Sequence, residues 1–191
     1  LRSDSGDLPV AENFVRLAAS TPVSAVPPEP LYLRAPDVKL QATRISLSTV
    51  GPGAAKLLAE IHGESFAARW NEKDFRELLN SPGTSAILIS SQNNPTGFVL
   101  FRKAADEAEI LTICTRPVIR QKGHAKLLML HMESLLRKDG VKSLFIEVAT
   151  SNHAGLALYR SCGFTQAGVR KNYYEHGDGT REDALIMRKG L

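Results

Sequence analysis

From residue 41 onward, the spacing of apolar positions switches between a period of about two residues and one of about 3.6, and the switches mark out the elements. Residues 42–48 (ATRISLS) alternate as a first strand, which Gly51-Pro52-Gly53 breaks. Residues 54–66 carry the helical spacing, with Leu57, Leu58 and Ile61 facing inward, and residues 72–80 predict a second helix. Residues 85–91, 97–105 and 107–115 read as three strands of an antiparallel meander, joined by Asn93-Asn94-Pro95 and by a tight acidic turn. The last of these strands is rich in β-branched residues and stops at Pro117, which has no N–H to give a ladder. A long amphipathic helix follows, with Ala125, Leu128, Met129, Met132, Leu135 and Leu136 on its apolar face and Gly140 as its stop. Residues 142–149 then predict a buried strand. Residues 152–161 predict a helix capped by Ser151 or Asn152, with Ala154, Ala157 and Leu158 as its buried stripe. Two more strands, 164–174 and 181–189, flank a Gly-Asp-Gly loop. The order βααβββαβαββ is that of a mixed α/β domain, and the chain shows no internal repeat.

The first 40 residues break this pattern. A short amphipathic helix fits residues 7–20, but Pro22, Pro27, Pro28, Pro30 and Pro36 then favour an extended linker. The expected organisation is therefore a proline-rich extension over residues 1–40 and one domain over residues 41–191. No apolar run approaches the roughly 20 residues of a membrane span. Asp4, Asp7 and Glu12 make neither a secretory leader nor a mitochondrial transit segment an expectation.

Composition is that of an ordinary globular chain, 43% hydrophobic and 23% charged. The net charge of +4 is unevenly placed. Arg116, Arg120, Lys122, Lys126, Arg137, Lys138 and Lys142 face only Glu133 and Asp139 within one stretch. A basic rim of this kind attracts anions. No aromatic residues interleave with it, so direct nucleic-acid binding is not expected. Cys114 and Cys162 have neither disulfide-framework nor metal spacing and read as reduced core residues of a cytoplasmic protein, with no metal site.

Candidate chemistry clusters in the second half. The turn Arg120-Gln121-Lys122-Gly123-His124-Ala125 joins a strand to a helix, and the free N–H groups of a first helical turn make an anion site there. The pattern is neither a P-loop nor a dinucleotide fingerprint. A solvated helix start is the plain alternative. Glu147 interrupts Leu-Phe-Ile-Glu-Val-Ala, where it shares a face with Phe145 and Ala149. A carboxylate in an apolar strand costs several kcal/mol unless it is hydrogen-bonded or neutralised. It is either satisfied by backbone N–H groups or desolvated toward the neutral pKa of a general base. Tyr159 lies beside the predicted stripe of its helix, as a core-edge residue or a proton donor. His124, His131 and His153 have no ligand partners and read as surface residues. Cys114 lacks an activating base and is not expected to be a nucleophile.

Taken together, these positions resemble the GNAT superfamily of acetyl-coenzyme A-dependent N-acetyltransferases. The turn resembles that family's Arg/Gln-x-x-Gly-x-Gly/Ala signature through Arg120, Gly123 and Ala125. Glu147, Asn152, Leu158-Tyr159, Gly163-Phe164, Arg170-x-x-Tyr173-Tyr174 and Asp183-Ala184 follow in register. Over residues 41–191 the likeness is to the bacterial ribosomal-protein-alanine N-acetyltransferases. It implies a mostly antiparallel twisted sheet of about seven strands with a splayed parallel pair, flanked by four helices. It also implies acetyl-CoA as cosubstrate and a protein N-terminus, that of a ribosomal protein, as partner. The main chain of Ile113, Cys114 and Thr115 would bind the pantetheine. Arg120 and Gln121, Lys122, Gly123, His124, Ala125 and Lys126 would hold the pyrophosphate, and Asn152 the coenzyme arm. Glu147 would take the amine proton and Tyr159 give one to the leaving thiolate. Phe66, Trp70, Tyr173 and Tyr174 would line the acceptor groove. Arg116 and Arg69 depart from the family's usual aspartate and proline, the second within the acceptor loop. Acetylation of lysine or a small amine, and non-enzymatic binding of acyl-CoA, are the alternative readings.

Overall fold

The computed structural model describes residues 44–175, 177 and 179–191; the expected extension over residues 1–40 lies outside them. Strand β1 (Ile45–Val50) leads through a 3-10 turn into helix α1 (Ala55–Gly63) and then α2 (Glu72–Asn80). Three strands follow, β2 (Thr84–Ser91), β3 (Asn94–Ala104) and β4 (Glu107–Thr115). A second 3-10 turn leads to α3 (His124–Lys138), β5 (Ser143–Ala149), α4 (His153–Ser161), β6 (Thr165–Glu175) and β7 (Arg181–Gly190). The seven strands form one sheet in the order β1-β2-β3-β4-β5-β7-β6, antiparallel except for β4 and β5.

The helix boundaries have local causes. Asn71 accepts from the Lys73 and Asp74 N–H groups while Asp74 accepts from the Asn71 N–H, a capping box that starts α2. Gly140, at φ +80°, ends α3: its N–H donates to the Arg137 carbonyl and that of Val141 to Leu136. Helix α1 stops at Gly63, earlier than its apolar spacing predicts, so Phe66 falls in the loop to α2.

Each sheet face has its own core. On one face α3 and α4 pack Leu128, Met129, Met132, Leu136, Leu156 and Tyr159 onto Ile87, Val99, Ile110, Leu144, Ile146 and Val148. On the other, α1 and α2 pack Ala55, Leu58, Ile61, Phe75 and Leu79 onto Ala86, Leu88, Phe98, Leu100 and Cys114.

Two bulges shape the centre of the sheet. Leu100 pairs with Thr112 and Phe101 with Ile110, so Leu111 is an extra residue in β4. The parallel β4–β5 ladder ends at that point, with Ile110 opposite Ile146, because a bulge bends its strand and disrupts pairing. The second bulge corrects the expected Asn93-Asn94-Pro95 loop. Gln92 and Asn93, both at positive φ, make a two-residue turn, and Pro95 lies inside β3. Ile89 pairs with Gly97 and Ser90 with Pro95, leaving Thr96 as the extra residue. A proline is tolerated within a strand at such a break.

Candidate functional site

Beyond Ile110 and Ile146, β4 and β5 part, and a cleft of about 720 Å³ opens between them and the start of α3. Ile113, Cys114 and Thr115 line it from β4. Arg120, Gln121, Gly123, His124, Ala125 and Lys126 line it from the turn, Asn152 and Tyr159 from α4, and Phe66 from the other side. The sequence reading missed Ser65, Ile119, Ala154, Gly155 and Leu158, which complete the wall. Ser65 Oγ donates to the Thr115 carbonyl at 3.2 Å, joining the α1–α2 loop to the end of β4.

The turn has the features that could hold an anion. Gln121 and Gly123 sit at φ +62° and +80°, a reversal that costs glycine nothing at the second position. No side chain caps α3, whose first intrahelical bond runs from the Leu127 N–H to Gly123. The N–H groups of the first turn therefore remain as donors at the positive end of the helix dipole. Arg120 and Lys126 add charge at the same place. The basic excess is less local than a count along the chain implies. Arg116 pairs with Glu64, Arg137 with Glu133 and Lys142 with Asp106. Arg137 and Lys138 stand roughly 20 Å from the turn, at the far end of a 15-residue helix.

Glu147 is the first residue of β5 beyond the parallel ladder, and it faces the α1–α2 side of the sheet. Its neutralising partner is Arg170, with Nη1 2.9 Å from Oε1. That guanidinium also lies 4.9 Å from the centre of the Tyr173 ring. A hydrogen bond to Glu147, followed by burial, raises the Tyr173 pKa. The Tyr174 hydroxyl donates to the Glu147 carbonyl at 3.4 Å. The geometry around Tyr173 comes from an irregularity in β6. Three residues, Lys171 to Tyr173, stand opposite Asp183 alone, and Asp183 accepts from the Asn172 N–H at 2.8 Å.

Tyr159 approaches the gap from the opposite face, only 5% exposed. The predicted stripe of α4 needs correcting: Leu156 and Tyr159 are buried, Ala154 and Ala157 are exposed, and Leu158 is half-buried. Small residues suit an exposed helix face at the cleft, while the large ring fills the core against Phe164. Burial raises the Tyr159 pKa well above the ordinary phenol value, so the side chain keeps its proton. Asn152 caps α4 through its Oδ1, which accepts from the Gly155 N–H at 2.9 Å, leaving its amide NH₂ free to donate. Cys114 is buried and its thiol is pushed up to about 12 by desolvation, which keeps it unreactive.

Glu147, Trp70, Tyr173, Tyr174 and Lys122 lie outside the cleft wall. Trp70 and Phe66 are arranged instead around His62, a residue the sequence reading passed over. This buried ring stacks on Trp70 with centroids 5.1 Å apart, and its Nδ1 accepts from the Trp70 N–H at 3.3 Å. Burial lowers the His62 pKa, keeping Nδ1 free to accept. Arg69, in the same loop, packs its side chain against Gly63. His124 corrects the expectation of a surface residue: it is 6% exposed, with Nδ1 2.9 Å from Thr96 Oγ1. His153 is exposed as expected and His131 half-buried. Among the described residues no group of three or more His, Cys, Asp or Glu is gathered to hold a metal ion. No helix among them is long and apolar enough to cross a membrane.

Comparison with known proteins agrees with this geometry. Residues 55–164 match the acetyltransferase (GNAT) family. The chain is 33% identical over 132 residues to the [ribosomal protein bS18]-alanine N-acetyltransferase of Haemophilus ducreyi, covering 68% of this chain and 89% of that one. It is 35% identical over 129 residues to the Escherichia coli K12 protein of the same name, covering 66% and 84%. The crystal structure of the ribosomal-protein-S18-alanine N-acetyltransferase from Escherichia coli superposes with a TM-score of 0.73 at 30% identity, over 78% of this chain and 94% of that one. An Arabidopsis thaliana NAA60 structure with acetyl-CoA, at 17% identity and TM-score 0.67, shares the fold. The splayed sheet, the uncapped helix start and these relatives together place the chain in the GNAT family, as an acetyl-CoA-dependent N-acetyltransferase.

Proposed function

We propose that this enzyme acetylates the α-amino group of a protein N-terminus, with the N-terminal alanine of a small-subunit ribosomal protein as acceptor. The observation that carries this reading is the gap between β4 and β5, with an uncapped helix start at one end and Glu147 just past the last ladder pair. The names of the Haemophilus and Escherichia relatives support the choice of acceptor. Such an acceptor places the enzyme in the cytoplasm.

In this reading the N–H groups at residues 121–126 hold the coenzyme pyrophosphate, with the charges of Arg120, Lys122 and Lys126 around them. The main chain of Ile113, Cys114 and Thr115 receives the pantetheine arm, and Asn152 donates to it. The acceptor lies on the α1–α2 face, between Phe66 and Trp70 on one side and Tyr173 and Tyr174 on the other. Its neutral nitrogen attacks the thioester carbonyl carbon, the C–S bond breaks, and the nitrogen loses its proton to Glu147. Tyr159 supports the departing sulfur from the opposite face. A phenol raised above its usual pKa of about 10 holds its proton more tightly than a thiol near 8.5. Tyr159 therefore acts by hydrogen-bonding the developing thiolate rather than by giving its proton away completely. Chemistry favours an α-amine over lysine. With pKa values of about 8 and 10.4, roughly a tenth of the former and about 0.04% of the latter is neutral at pH 7. Residues 1–40 are proposed as an extension outside this chemistry, so that the chain without them keeps kcat/KM within about twofold.

Coenzyme A release from acetyl-CoA tests the reading, with Ala-initiated peptides, N-terminally blocked lysine peptides and polyamines as acceptors. Turnover is expected on the first and lost when its N-terminus is blocked. Turnover confined to the other two would overturn the acceptor assignment.

A further inference from the structure

We infer that Thr96 and His124 form a buried positioning pair that fixes the coenzyme's phosphate turn against the end of β4. Coenzyme affinity then depends on a hydrogen bond between two side chains, one of which belongs to no coenzyme-binding segment. The inference rests on reading that turn as the phosphate site.

The pair begins with a proline. Pro95 has no N–H, and the β2–β3 ladder skips one residue beside it, leaving Thr96 as the extra residue of a bulge. A bulge re-aims the side chain it carries, and Thr96 is 4% exposed. Its Oγ1 lies 3.1 Å from the Ile89 carbonyl, to which it donates, and 2.9 Å from His124 Nδ1. A hydroxyl has one proton, so with that proton on Ile89 the ring donates from Nδ1 to Oγ1. His124 is the first residue of α3, which has no other side chain at its cap. The bond therefore anchors the first turn of the helix, whose N–H groups face the cleft, to the middle of the sheet.

The same stretch of β3 also grips the thioester end of the site. The Thr96 carbonyl accepts from the Arg116 N–H at 2.8 Å, and the Pro95 carbonyl accepts from Arg116 Nε at 3.0 Å. Gly97 lies so close to β4 that an added Cβ would come within 2.6 Å of the Cys114 carbonyl oxygen. Residues 95–97 thus hold both the strand end that would receive the pantetheine and the helix start that would receive the pyrophosphate. A ligand that spans both needs their separation fixed before it binds, because any ordering it must impose is subtracted from its affinity.

The test is calorimetric titration of the full chain with coenzyme A, alongside steady-state kinetics. Thr96→Val keeps the volume but leaves a buried ring N–H without a partner. It is expected to raise the coenzyme A Kd and the acetyl-CoA KM about tenfold, with kcat and the acceptor KM within about twofold of wild type. Thr96→Ser, which keeps the hydroxyl, restores affinity to within about threefold. His124→Gln, which moves the donor away from Thr96, weakens coenzyme A as Thr96→Val does. Should Thr96→Val fail to fold, the serine and glutamine variants carry the same contrast. Unchanged coenzyme affinity in Thr96→Val or His124→Gln overturns the pair, as does a loss spread equally over kcat and the acceptor KM. Wild-type chain that fails to bind coenzyme A overturns the phosphate-site reading and the pair with it, whereas tight wild-type binding with indifferent variants overturns the pair alone.

Discussion

Over Ser143–Ile146, β5 is hydrogen-bonded to β4 on one side and β7 on the other; over Glu147–Ala149 it keeps only β7. The closed half is tied down by polar contacts. Lys189 Nζ lies 2.6 Å from Glu133 Oε2 on α3, and Arg188 donates to Ser143 Oγ at 2.8 Å. The open half carries the cleft. Each half contains a glutamate paired with a cation, and the two differ in what surrounds them. The Glu133 side chain is 2% exposed and its Oε1 has no partner, so the pair only holds α3 to β7. The Glu147 side chain is 21% exposed at the edge of the gap, and the arginine paired with it is 53% exposed. The same two functional groups are sealed where the ladder is closed and half-exposed where it is open, which is where the proposed chemistry is assigned.

Breaking the open half is expected to have the larger effect. Glu147→Gln should lower kcat/KM about 10³-fold, or ~4 kcal/mol of transition-state stabilisation, with Tm nearly unchanged. Steady-state assays with an Ala-initiated peptide check it, and a wild-type rate and pH profile would remove the base. In the closed half, Glu133→Ala strands the Lys189 ammonium and should cost about 3 kcal/mol of stability by urea unfolding. Replacing both partners, Glu133→Leu with Lys189→Met, should recover most of that loss, since apolar packing serves where no substrate reaches.

Tyr159→Phe sharpens the contrast further, with kcat lowered about 30-fold, or ~2 kcal/mol. It also carries a pH signature. The folded phenol titrates above its unfolded value, so the folded state binds more protons in alkali. Stability is therefore lost as pH rises past about 10. Melting curves between pH 8 and 11 should fall more steeply for wild type than for Tyr159→Phe. The smallest effect concerns His62. Its folded pKa lies below the ordinary 6.5, so the stability from its neutral ring is present above that pH and lost as pH falls through the folded value. Trp70 is the chain's one tryptophan and stacks on this ring, so its fluorescence should titrate with a midpoint below 6.5. A midpoint at or above 6.5 would contradict a pKa lowered by burial.

The element order, the basic glycine turn and the apolar faces of α1 and α3 were legible because each is a local pattern. Capping residues, a β-branched run ended by proline and a glycine stop need no partner to be read. Less visible were the residues whose role depends on which strand lies opposite. Ala154 and Ala157 look like a buried stripe by spacing, yet both are exposed, and Ala154 lines the cleft. His124 looks like a solvated turn residue, yet it is buried because a bulge elsewhere turns Thr96 toward it. The only trace of that bulge in the sequence is Pro95, a residue without an N–H in a segment that otherwise reads as turn.

The sequence by itself determined the seven strands and four helices of the described residues, the basic turn at the start of α3 and the place of Glu147 in an apolar strand, because short-range periodicity and residue chemistry specify them. Only the tertiary structure decided where β4 leaves β5 and that Glu147 and Tyr159 meet the gap from opposite faces. It also decided that Arg170 rather than a backbone donor neutralises the carboxylate. Those outcomes depend on strand register and bulges, which are settled by contacts between residues distant in the chain.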